Sequence, residues 1–171
     1  MIQIAYHPAY DTFHTTFRVL RILSCIPEET IKVDKLKILD FYMAFPRLTT
    51  DITGLQRQHK KYKLNSFPKP YGELPSPITI FNQMGPIQDA AIQTLCLQGF
   101  LDFDIESLMH GEIQLSELGI PEALTASISL RNEKEASLIE YLIEVLLPIP
   151  LDGPKGLKAR TGLMEYRYDY A

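Results

Sequence analysis

Four histidines (His7, His14, His59, His110) and two cysteines (Cys25, Cys96) are the side chains here best suited to metal binding or nucleophilic chemistry. Their spacing suits neither. No pair of them stands at the interval of a zinc finger. His14 and Cys25 lie on one apparent helix, about three turns apart, so they cannot meet as base and nucleophile. Asp102, Asp104 and Glu106 fall on one side of an alternating stretch and could serve as an acid pair. The solvated face of a half-buried strand accounts for the same alternation, and that is the reading adopted. The stretch "GLKARTG" lacks the order of a phosphate loop and is not followed by an apolar helix. The expectation is a chain that is not an enzyme and holds no cofactor or metal.

Two clusters remain that could bind a macromolecule. The stretch "RQHKKYK" supplies Arg57, Lys60, Lys61 and Lys63 around Tyr62, a set able to grip phosphates without sequence preference. Charge runs are more commonly solvated faces, and the sequence favours that account. Near the end, Arg160, Leu163, Met164, Tyr166, Tyr168 and Tyr170 could add a strand to a neighbour's sheet, or dock on their own domain.

The elements that must position these groups follow from periodicity and punctuation. "YDTFHTTFRVLRILSCIP" predicts a helix capped by Asp11 and stopped at Pro27. "VDKLKILDFYMAFP" predicts a second, capped by Asp34 and ended by Pro46, so apolar that it belongs in the centre of the core. Residues 46–76 read as an irregular basic insertion laid over the surface, rich in proline, glycine and serine toward its end. Ser76 and Pro77 open a short helix, Gly85 turns the chain, and Pro86 opens another that closes at Gly99. "FLDFDI" and "EIQLSE" alternate as the two strands of a ribbon. Helix, turn, helix and ribbon together predict a winged-helix core. Past Pro121 a helix runs on or restarts near Asn132, with a stripe of Leu138, Leu142 and Leu146 too wide to stay uncovered. Its cover is either the first two helices or another chain.

Charge bears on what such a core would bind. Net charge is −4, and 46% of residues are hydrophobic, an ordinary balance for a globular protein. Residues 33–64 carry +4 and residues 65–150 carry −9. With Ile87, Ala91 and Leu95 buried, the outward residues of the presumed reading helix are Gln88, Asp89, Gln93 and Leu97. None is a cation. Glutamine can read adenine, yet without phosphate contacts little would hold the helix in a groove. A protein partner suits this surface better. No apolar run approaches the ~20 residues of a membrane span, no signal peptide is evident, and both cysteines read as buried free thiols, so a cytoplasmic protein is expected.

With "HPAYDTFHTTFRVLRIL", "VDKLKILDFYMAFP", "GPIQDAAIQTLCLQGFLD" and "GLKARTGLMEYRYD", the chain resembles the middle components of bacterial ABC-three-component systems. It is most similar to the small subunit of Lamassu-type anti-phage defence. The resemblance runs nearly end to end and implies a non-catalytic subunit beside an SMC-like coiled-coil ATPase and an effector that is often a nuclease. It further implies an adaptor that docks on the ATPase and restrains the effector until foreign DNA is sensed, touching DNA only indirectly or weakly. The rival is a winged-helix DNA-binding regulator or antitoxin. The expected architecture is mainly α (α+β), with one domain over 1–150 and a partner-binding tail over 151–171.

Overall fold

A computed structural model of the protein describes residues 7–70, 72–103 and 111–166. Helix α1 (Thr12–Leu23) begins at Asp11, whose carboxylate accepts from the His14 N–H at 2.9 Å. That bond satisfies one of the orphan donors at the helix start, as the sequence predicts. A two-residue strand β1 (Ile31–Lys32) leads directly into α2 (Val33–Ala44). Lys32, not Asp34, is the cap; Asp34 sits in the first turn, where its charge faces the positive end of the helix dipole. Eight of the twelve α2 residues are buried, which places this helix at the centre of the core.

The segment after α2 departs from expectation. Residues 46–66 are not a loose surface connection but a folded unit: a 3-10 turn (Pro46–Asp51), helix α3 (Gln56–Lys61) and a second 3-10 turn (Leu64–Ser66). Thr49, Ile52, Leu55, His59, Tyr62 and Leu64 point inward and are buried. Each apolar side chain so covered contributes about 1.5–3 kcal/mol, enough to fix a six-residue helix that would not persist alone.

Helix α4 (Pro77–Leu97) replaces the expected pair of helices. The chain runs straight through Gly85 and Pro86 without a turn. A proline ring ordinarily crowds the side chain before it and drives that residue out of helical backbone. Glycine has no Cβ to crowd, and nothing lies within 4 Å of where one would be. The backbone acceptor left unpaired by proline belongs to Asn82, which is exposed like Pro86 itself, so water can supply the bond.

After α4, β2 (Leu101–Phe103) and β3 (Glu112–Leu115) form the expected ribbon, with Asp102 opposite Gln114 and Phe103 opposite Ile113. β1 adds a third strand on the far side of β3, pairing Ile31 with Ile113, so the antiparallel order is β1-β3-β2. Helix α5 (Glu122–Lys134) lies against α1, and the chain restarts after Glu135 as α6 (Ala136–Glu140). A π-helical stretch, Tyr141–Leu146, follows, closed by the Leu147 N–H donating to the Leu142 carbonyl at 2.9 Å. Leu138, Leu142 and Leu146 are buried within the chain, and the stretch carrying the last two packs on α2 and α3, so this stripe needs no second chain. The tail beyond 150 is also part of the fold as far as residue 166. Leu151, Leu157 and Leu163 are buried, and α7 (Leu157–Thr161) packs beneath Thr53 and Gly54.

Candidate functional site

The residues expected to form an outward docking face on α4 divide into three situations. Gln88 is buried, at 1% exposure, and the expectation that it faces outward is corrected. An unbroken helix sets the inward stripe at Met84, Gln88, Ala91 and Leu95, spaced four, three and four residues apart. Splitting the helix at Gly85 had centred that stripe on Ile87, which is only half buried. Asp89 is half exposed and ion-paired with the Lys37 ammonium at 2.5 Å. Gln93 and Leu97 are exposed, Leu97 at 88%.

Gln88 belongs to a polar knot joining the three central helices. The Arg18 guanidinium of α1 grips the Asp40 carboxylate of α2, with Nε to Oδ1 at 2.6 Å and Nη2 to Oδ2 at 3.3 Å. Arg18 donates further to the Pro8 carbonyl and the Thr15 hydroxyl. The Gln88 amide donates to Asp40 Oδ2 at 2.9 Å and to the Lys37 carbonyl at 3.0 Å. A buried ion pair is tolerable only when its remaining hydrogen-bonding capacity is met, and the extra donors and acceptors do that here. The sequence carried a signal for this pair: Asp40 stands alone inside an apolar run, and Arg18 shares one with Arg21.

A second junction ties α1 to α5. Arg21 donates to Asn132 at 2.8 Å and to Glu135 at 2.7 Å, beside Cys25. Burial pushes the Cys25 and Cys96 thiols above their ordinary pKa, the reverse of an activated nucleophile. Among the described residues no group of three or more His, Cys, Asp or Glu is placed to hold a metal ion, and no helix is long and apolar enough to cross a membrane.

The exposed end of α4 is different in kind. Leu97 stands at its last position, and Leu118 (67% exposed) lies just past β3, over Gly99. Gly99, with φ +78°, is the left-handed residue that ends the helix and turns the chain into β2. The Ser116 hydroxyl donates to the Gly99 carbonyl at 2.6 Å and accepts from the Leu118 N–H at 3.2 Å, fixing the two leucines' backbones relative to each other. Asp102 on β2 and Glu117, the residue before Leu118, are exposed as well. Leu118 was not singled out by the sequence, since a leucine beside a turn glycine gives no periodic signal.

The tail residues are tied down rather than offered. Leu163, at 2% exposure, is buried in its own domain, the second of the two readings open for the tail, and is not available to a neighbour's sheet. Arg160 donates to the Thr53 carbonyl at 3.1 Å and the Lys155 carbonyl at 2.6 Å. Tyr166 is half buried, and Tyr168 and Tyr170 lie outside the described residues, as do Asp104, Glu106 and His110. In the basic stretch Arg57, Lys60, Lys61 and Lys63 are all exposed, whereas His59 between them is buried.

The family model of the ABC-three component (ABC-3C) system Middle Component 5 matches residues 4–169. No curated protein and no solved structure matches the chain.

Proposed function

The chain belongs to that Middle Component 5 family, and from this premise we propose that it is a non-catalytic adaptor of its ABC-three-component system. It docks on an SMC-like coiled-coil ATPase, as in Lamassu-type anti-phage defence, and holds or restrains the effector until foreign DNA is sensed. The observation that carries the reading is the end of α4, where Leu97 is 88% exposed and Leu118, 67% exposed, sits over the Gly99 that ends the helix. A leucine left almost wholly in water at a rigid helix end gains most by insertion into a partner's pocket.

The core is a winged helix in this reading. What supports it is the order α1, β1, α2, α4, β2, β3 with strands arranged β1-β3-β2. α2 and α4 then stand as the helix pair, and residues 46–76 interrupt the turn between them. α4 takes the position of a groove-reading helix, yet Pro77 to Leu97 contains no lysine or arginine. Gln88 is committed to the core and Asp89 to Lys37, which leaves this helix without the phosphate contacts that fix a reader on DNA.

Co-purification with the ATPase encoded by the same system tests the proposal. Leu97→Asp with Leu118→Asp should weaken retention at least tenfold while leaving the fold intact. Undiminished retention would remove the docking surface, and a chain that binds no partner at all would remove the adaptor role. Sequence-selective DNA binding by the chain alone, lost on Gln93→Ala, would favour the regulator instead.

A further inference from the structure

The positive charges of this protein have two fates. Those of α1, β1 and α5 include Arg18, Arg21, Lys32 and Arg131, each paired with a carboxylate. Lys35, Arg47 and Arg160 donate to main-chain carbonyls. Arg57, Lys60, Lys61 and Lys63 do neither among the described residues, and all four project into solvent within seven positions.

Their platform is rigid. Leu55, His59, Tyr62 and Leu64 fasten it to the core from below. The Thr49 hydroxyl and His59 Nδ1 are 2.6 Å apart. The Tyr62 ring meets Tyr141 edge-on at 5.6 Å, and its hydroxyl donates to Glu144 at 2.8 Å. That hydrogen bond, with Glu140 also nearby, holds the Tyr62 phenol above its ordinary pKa. The Lys61 ammonium lies 5.0 Å from the centre of the Tyr62 ring.

Helix stability does not explain the cations. Lysines in the last turn of α3 do complement the helix dipole, but Arg57 in the first turn opposes it. Lys63 opposes backbone preference. It follows the helix cap with φ +53° and ψ +38°, the left-handed position that glycine most often fills. Among the described residues it is the one non-glycine with positive φ.

We infer that α3 and Lys63 form a phosphate-binding platform for the nucleic-acid backbone. Arg57, Lys60 and Lys61 follow i, i+3, i+4 spacing and share one face. The apolar residues of the segment are turned inward, so nothing on this face would anchor a peptide by burial. A contact made by cations alone positions a nucleic acid without reading its sequence. The inference does not rest on the adaptor reading, which concerns the far end of α4.

Fluorescence anisotropy of the purified chain with a labelled duplex tests it. Four phosphate contacts predict a slope of about −3.6 in log affinity against log salt, and roughly a hundredfold weakening between 50 and 200 mM. R57Q/K60Q/K61Q/K63Q should abolish binding, while K134Q/K155Q should leave it unchanged. Lys63→Gly removes one charge but relieves the backbone, so it should flatten the slope by about 0.9 in a fully folded chain. Absence of duplex binding at 50 mM salt, binding that survives the quadruple change, or equal competition by poly-glutamate would each overturn the assignment.

Discussion

Helices α3 and α4 follow one another in the chain and present opposite surfaces. α4 is long, free of lysine and arginine, and ends in an exposed leucine. α3 is a six-residue helix, with three exposed cations above a buried His59 and with buried Leu55 and Tyr62 at its two ends. In a DNA-reading winged helix both roles, backbone grip and insertion, fall to one helix and its flanks. In this chain exposed apolar surface lies at the end of α4, and a cluster of exposed cations lies on α3 and Lys63. The lesson is that a fold's usual contact helix says little about function until its side chains have been assigned to core or solvent.

That contrast can be broken at its base. Asp40 anchors α2 to α1 through Arg18 and to α4 through Gln88. Asp40→Ala should cost about 3–5 kcal/mol in denaturant unfolding, because it strands a buried guanidinium. A loss below 1 kcal/mol would show that the knot is not what orients α4. A smaller effect is expected from Gln88→Ala. Removing the amide leaves Asp40 one donor short and should cost about 1–3 kcal/mol. Were Gln88 a contact for a partner instead, the same change would spare stability and weaken only association. Smallest is Lys63→Gly, expected to stabilise by up to about 1 kcal/mol by freeing a strained left-handed backbone. Destabilisation there would mean the lysine has a structural role that its exposure conceals.

Much of this molecule can be read from its residues, and the exceptions have physical causes. α1 follows from its Asp11 cap and its period, α2 from its apolar run and Pro46, and the β2–β3 ribbon from alternation, though the cap of α2 is Lys32 and not the expected Asp34. β1 does not, since two residues have none; its existence depends on β3 across the sheet. The apparent break at Gly85–Pro86 misleads because glycine removes the clash that would end the helix, and only the packing of Met84 and Gln88 reveals continuity. That one misplaced boundary carried Gln88 from the core to the surface. The insertion misleads for a related reason: its composition is polar on average, while its buried residues fall in short turns of different period. Of the two exposed leucines, Leu97 was legible as an outward residue, whereas Leu118 emerges only from the fold that seats it over Gly99.

Hydrogen exchange of the chain, free and bound to the ATPase of its system, addresses the separation of roles most directly. Exchange should slow on binding at the C-terminal turn of α4 and in the turn bearing Leu118, while α3 and Lys63 stay unchanged. Protection confined to residues 56–63, with the Leu97 end as open as in the free chain, would contradict it.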